Sequence, residues 1–249
     1  MGKLIVVTNQ KGGVGKTTGT VHIVHAASEL IADNPGDEVL VVDFCGQGNT
    51  SQYLTANLDI NKHPGGAETL FDDAPLVYTD TLLPNVKLLH GHRALEAMDK
   101  DESLLPQAVA LRTQIRNLPF KYIIFDTPPA LGTRIAAPLL WSDLAVLMVE
   151  PHLSSLTGLD DTFDTIKAVK RKNPGLVVKM AVNRFTKASK TQKHFRELLQ
   201  KKFGKMIVEE FTSRTAVADA VQNYLPVWRH SKDKALGMQW RDFAVSVLS

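Results

Sequence analysis

Short apolar runs alternate with longer amphipathic stretches along the whole chain. The runs LIVV, VLVV and YIIF show no polar alternation, as expected of strands buried on both faces. Strands are predicted over residues 3–9, 38–43, 86–90, 122–126, 144–150 and 176–183, with a short further one over 206–208. Apolar residues at helical spacing predict helices over 16–32, 95–116, 134–140, 155–172, 190–203, 216–223 and 238–248, the 95–116 stretch being readable as one helix or as two. Strands and helices in alternation build an α/β fold: a mostly parallel, twisted sheet with helices on both faces. The 58–85 stretch, with Pro64-Gly65-Gly66 and Pro75, reads as an irregular surface excursion. No repeat or interdomain linker interrupts the pattern, so residues 1–249 are read as a single domain.

Composition adds exclusions. The single cysteine, Cys45, rules out an internal disulfide framework and fits a reducing cytoplasm. The opening MGKLIVVTNQ is too short and polar for a signal peptide, and no apolar run reaches membrane-spanning length, so a soluble protein is expected. The net charge of +3 conceals a division. Through Asp160 there are 11 Lys and Arg against 18 Asp and Glu, and from Asp161 onward 18 against 8. Residues 184–205 hold eight of those cations and one Glu, a concentration that favours a polyanionic partner.

The strongest chemical signal follows the first strand, where Gln10-Lys11-Gly12-Gly13-Val14-Gly15-Lys16-Thr17-Thr18 opens a helix. Backbone N–H groups of such a glycine turn, aligned with a helix N-terminus, cradle phosphate oxygens. Gly12, Gly13 and Gly15 let the main chain approach, and Val14 and Thr18 complete the cradle. Lys16 is placed to reach β and γ phosphates, with the Thr17 hydroxyl on Mg²⁺. Asp126 ends the run YIIFD, where a carboxylate holds Mg²⁺ through water. The loop departs from G-x-x-x-x-G-K-[ST] because Gln10 takes the first glycine position. Residues 183–186 read Asn183-Arg184-Phe185-Thr186 and not a guanine-binding Asn-Lys-x-Asp.

KGGVGKTT resembles the deviant phosphate loop of the ParA/MinD family of dimerising P-loop ATPases. The resemblance continues through VVDFCGQGNTS, YIIFDTPP and VLMVEPHLSSLTGL, and within the family it is most like ParA, which segregates plasmids and chromosomes. It implies that Lys11 reaches across an ATP-sandwiched homodimer to the partner's nucleotide, as an arginine finger does in trans. It also implies that Asp43 is the first acidic residue of a first switch, at the metal side, and that Thr127-Pro128-Pro129 form a stiff second switch. For base recognition it points to Asn183 and to the segment around Pro226.

Family members usually read D-x-D-P-Q-G-N in the first switch, and the second aspartate helps orient the attacking water. The same frame here is Asp43-Phe44-Cys45-Gly46-Gln47-Gly48-Asn49. Cys45 thus stands at the water-orienting position and Gly46 at the proline. A neutral thiol is a weak acceptor without fixed charge, and glycine loosens the backbone. A redox role for Cys45 lacks a second cysteine. The expected catalytic set is Lys11, Lys16, Asp43 and Cys45, with slow hydrolysis.

The resemblance implies a partition ATPase. ATP closes the dimer, the dimer binds DNA without sequence preference, and a ParB-type partner stimulates hydrolysis and release. Lys187, Lys190, Lys193, Arg196, Lys201 and Lys202 are the expected phosphate contacts, and the protein is expected in the cytoplasm on the nucleoid. Because the chain opens directly on its first strand, no N-terminal helix-turn-helix extension is expected. An ATP-gated DNA clamp with little hydrolysis is the alternative that Cys45 favours. A MinD-like membrane switch needs a basic amphipathic C-terminal helix. KALGMQWRDFAVSVLS has Trp240 and Phe243 but few cations, so no membrane association is expected. An iron–sulfur reductase on this fold uses two cysteines per subunit, and this chain has one.

Overall fold

The strands are β1 (Lys3–Thr8), β2 (Val39–Asp43), β3 (Thr79–Asp80), β4 (Val86–Leu89), β5 (Tyr122–Asp126), β6 (Leu144–Val149), β7 (Val177–Phe185) and β8 (Ile207–Thr212). They belong to a computed structural model that describes residues 2–57 and 65–249, with the backbone alone at 153–157. One sheet contains them in the order β3-β4-β2-β5-β1-β6-β7-β8. All pairs are parallel except β3 against β4.

Side chains alternate across a strand, so each run of consecutive apolar residues feeds two cores. Leu4, Val6, Phe125 and Leu147 face one core, which is closed by α3 (Leu104–Arg116), α4 (Thr133–Trp141), α5 (Leu153–Lys170) and α6 (Lys190–Phe203). Ile5, Val7, Ile124 and Val146 face the other, closed by α1 (Lys16–Leu30), α7 (Thr215–Gln222), α8 (Val227–His230) and α9 (Lys234–Leu248). The short α2 (Asn49–Thr55) follows β2. Trp141 anchors the first core and donates its Nε1–H to Ala108 O at 2.8 Å. Trp240 anchors the second, its ring stacked on Phe211 with centroids 3.9 Å apart. Truncating either to alanine costs about 3–5 kcal/mol. The aromatic residues of the C-terminal tail are therefore core: Trp240 is 1% exposed and Phe243 3%. No helix among the described residues is long and apolar enough to cross a membrane.

The 95–116 stretch takes the two-part form of its reading, a 3₁₀ segment at Arg93–Lys100 and then α3. Asp101 Oδ1 accepts both the N–H and the hydroxyl of Ser103, a local turn that competes with helix. The 58–85 excursion is not all surface: within Ala67–Phe71 a 3₁₀ turn buries Ala67, Leu70 and Phe71 in the first core. Residues 58–64, including Pro64, lie outside the described residues. β3, α2 and α8 have no counterpart among the predicted elements, being too short for periodicity to register.

Candidate nucleotide-binding site

Parallel strands end at one edge of the sheet, and ligands of such sheets bind beyond those ends where the strand order divides. β1 sits at that divide, with β2–β5 on one side and β6–β8 on the other. Residues 9–15 leave β1 there and turn into α1. Gly13 and Gly15 have φ of +78° and +95°, left-handed values that disfavour other residues. At Gly15 space demands glycine as well, because a Cβ would overlap the Asn183 amide.

Registry brings two carboxylates together: Asp43 on β2 pairs directly with Asp126 on β5. Both are buried, at 0% and 1% exposure. Asp43 is fully engaged. Its Oδ1 accepts the Cys45 N–H at 2.9 Å, and its Oδ2 accepts the Ser51 N–H at 3.0 Å and hydroxyl at 2.8 Å. Asp126 Oδ2 accepts the hydroxyls of Thr17 at 2.9 Å and Thr50 at 2.5 Å, whereas its buried Oδ1 has no hydrogen-bond partner. Burial, reinforced by Asp126, raises the Asp43 pKa to about 7, and burial raises Asp126 as well. Two adjacent desolvated carboxylates resist double ionisation unless a cation joins them. Lys16 is nearby and buried, donating to Lys11 O at 2.9 Å. Burial lowers its pKa, against the attraction of Asp126.

A cleft of about 410 Å³ opens in front of the loop, running past Cys45, Gln47 and Pro129 to Arg184 and Gln222. Cys45 is half-buried, and burial followed by the charge of Asp43 pushes its thiol up to about 11, so the sulfur stays protonated at neutral pH. Gly12, Gly13, Gly15, Lys16, Thr17 and Thr18 also line the cleft, whereas Val14 is buried behind it. Lys11 is half-buried and does not line its own cleft among the described residues.

Gln10, in place of the first glycine, ties the loop to α5. Its Nε2 donates to Thr165 Oγ1 at 2.9 Å and its backbone N–H to Thr162 Oγ1 at 3.3 Å. From the end of β7 the Asn183 amide donates to Val14 O at 3.0 Å and Arg184 Nη1 to Gly13 O at 2.6 Å. Asn183 thus holds the loop's backbone, a contact that its expected part in base recognition did not foresee. Pro226 is buried ahead of α8 and is absent from the cleft lining among the described residues.

Of the six predicted DNA contacts, Lys187, Lys190, Lys193, Lys201 and Lys202 are exposed and Arg196 is half-buried. Arg196 pairs with Glu210 at 2.7 Å and Lys202 with Asp160 at 2.7 Å. Thr50, Ser51 and Gly91 were missed as site residues. Gly91 lies so close that a Cβ would meet Cys45 O at 2.5 Å and Asp43 Cγ at 2.7 Å. Only the run Gly48-Asn49-Thr50-Ser51, rich in helix-capping residues, hinted at the first two.

Comparison with known proteins places this geometry. The family model for an AAA domain matches residues 2–178. The sporulation initiation inhibitor protein Soj of Bacillus subtilis is 31% identical over 181 residues, covering 69% of this chain and 67% of Soj. The chain belongs to the ParA/MinD family of P-loop ATPases. Protein IncC of Escherichia coli is 29% identical over 247 residues, 94% of this chain and 65% of its own, so the chain spans about two thirds of these curated relatives. The ParA/MinD fold recurs in solved structures. Apo McdA from Cyanothece matches with a TM-score of 0.84 at 17% identity, covering 100% of both chains. A putative plasmid partition protein from Borrelia burgdorferi, bound to AMPPNP, matches at 0.79 and 19% identity, covering 99% and 98%.

Proposed function

We propose that this ParA/MinD-family chain is a ParA-type partition ATPase: it binds ATP and Mg²⁺, dimerises, holds DNA without sequence preference and lets go on hydrolysis stimulated by a ParB-type partner. The observation that carries the reading is Asp126 Oδ1, a buried carboxylate oxygen without a partner beside Thr17 at the mouth of a glycine phosphate loop. That oxygen and the Thr17 hydroxyl fit a divalent cation, with Asp43 behind them. When bound, the cation neutralises charge on the β and γ phosphates.

The chain's own residues supply the rest. Loop N–H groups hold the phosphates, Lys16 turns from Lys11 O to the γ phosphate, and Lys11 serves the partner's nucleotide. Cys45, uncharged at the cleft, gives the attacking water little orientation, and the Gln47 amide beside it is left to do so. Hydrolysis is accordingly slow. Lys187, Lys190, Lys193 and Lys201 form the salt-sensitive DNA surface, which dimerisation doubles.

The test is a DNA titration in ATP, in ADP and without nucleotide, with phosphate release followed in the same samples. Binding is expected only with ATP, weakening about 10³-fold between 50 and 200 mM salt if six phosphates are neutralised. Equal binding in ADP defeats the reading. ATP-dependent binding with no phosphate release favours the second reading, a DNA clamp, for which the protonated Cys45 is the motive.

A further inference from the structure

Both loops that border the cleft are held from one side, by residues that line a second concavity. Thr165 on α5 accepts from Gln10, the residue before Lys11. Asp99 accepts from Arg134 Nη2 at 2.6 Å and Nε at 2.9 Å, and Arg134 Nη1 donates to Phe44 O in the first switch at 3.4 Å. Arg134 is 5% exposed, so this relay is shielded from water. Thr165 and Asp99 both line a groove of about 820 Å³ between α3, α4 and α5.

The groove is apolar and open. Leu105 and Val109 on α3 are each 42% exposed along it, and Ala136 and Val169 add to its lining. α4, which borders it, has nine residues and so is about 13 Å long, matching more than two turns of a docked helix. Charge divides its ends. Asp101 and Glu102 join Asp99 at the end where α4 begins, next to the cleft, and Lys172 lines the other. The neighbouring Asn173 marks that far end, donating to Leu139 O and Ser142 O where α4 stops.

We propose that this groove docks an amphipathic helix of a partner protein, its apolar stripe on Leu105 and Val109 and its lysines or arginines over Asp101 and Glu102. Occupancy reaches the cleft along Thr165–Gln10 and along Asp99–Arg134–Phe44. The inference rests on the partition reading, for which it names the surface the stimulating partner uses.

The test uses the full chain with ATP and Mg²⁺ and three fluorescein-labelled amphipathic peptides of about 14 residues. The first has leucines at helical spacing with lysines, the second the same leucines with glutamates, and the third the lysines with scrambled leucines. By anisotropy the first is expected to bind about tenfold more tightly than either control, and Val109→Glu to weaken it by about as much. Glu102→Lys should narrow the preference over the glutamate peptide. At saturation the rate of Cys45 modification by a disulfide reagent should change about twofold or more, because Phe44 moves with Arg134.

Equal binding of the three peptides, or indifference to Val109→Glu, overturns the docking site. An unchanged Cys45 rate at saturation overturns the coupling. If Val109→Glu instead abolishes the ATP-dependent dimer in light scattering, a second copy occupies the groove and the partner assignment fails. Peptide docking without ATP-dependent DNA binding would sink the partition reading alone, and the reverse would sink the groove alone.

Discussion

Asn183 at the end of β7 donates its side-chain amide to Val14 O at 3.0 Å, gripping the phosphate loop from behind. Asn183→Ala leaves a buried carbonyl unpaired and opens space beside Gly15. ATP affinity is expected to fall about five- to tenfold, as loss of a hydrogen bond worth roughly 1–1.5 kcal/mol requires. Calorimetric titration with ATP checks it, and unchanged affinity would show that the loop holds its own shape.

The two lysines of the loop should separate cleanly. Lys16 is buried beside Asp126 and lines the cleft, whereas Lys11 does not. Lys16→Ala is expected to abolish ATP binding, while Lys11→Ala keeps it and loses the ATP-dependent dimer. Size-exclusion chromatography of the Lys11 variant decides between the two roles, and a persisting dimer would remove the trans function.

Cys45→Asp restores a charged acceptor in the first switch. Steady-state turnover is expected to rise, by up to about 10² if the group acts as a positioned acid–base residue. A variant no faster than the parent would clear Cys45 of blame. Cys45→Ala slower than the parent would show that the thiol itself contributes.

Two buried histidines make a pH prediction. His22 Nδ1 lies 2.7 Å from Thr18 O and must carry the proton there, since a carbonyl only accepts; Nε2 then accepts the Val227 N–H at 3.1 Å. Burial lowers His22 to about 4, and burial with Arg229 lowers His25 to about 4. An unfolded histidine titrates near 6.5, so between about pH 6.5 and 4 the unfolded chain binds more protons and stability falls with acidity. Asp43, raised to about 7, works in the opposite sense, so variants must be compared. His25→Gln should gain about 2 kcal/mol on the parent between about pH 7 and 5. Thermal melts at both pH values read this, and a constant difference in Tm contradicts it.

On the proposed DNA surface, Lys190→Ala with Lys193→Ala should weaken ATP-dependent binding uniformly across sequences and lower the salt slope of the dimer by about four, two for each protomer. Lys202→Ala, whose cation is engaged by Asp160, should do less. The comparison is a salt titration of each variant, and equal losses would point to a different face.

The phosphate loop and the two carboxylates were readable in advance because each sits at the end of a continuous apolar strand, where the chain must turn. Parallel pairing then converted distance in sequence into contact, Asp43 beside Asp126. What escaped were side chains whose partners are set by packing alone. Nothing in the spacing of Asp99 and Arg134 announces an ion pair, and Ser51 looks like any capping residue until β4 brings Gly91 against it at 2.9 Å. Asn183 was noticed for its place at a strand end, but its actual partner, a loop carbonyl, depends on Gly15 lacking a Cβ.

Arg184 has φ of +54°, a left-handed conformation that costs a non-glycine residue about 1–2 kcal/mol. Neighbours in a strand ordinarily point to opposite faces, yet this twist lets Asn183 and Arg184 seize successive carbonyls of one loop. The next residue, Phe185, lies under the Arg196 guanidinium of α6 at 5.6 Å. Three consecutive residues thus form a short lever whose arms rest on the nucleotide loop and on the basic helix. None of the three is glycine or proline, and the middle one is already strained. Under the proposed DNA binding, a pull on α6 would pass through this lever to the phosphate loop.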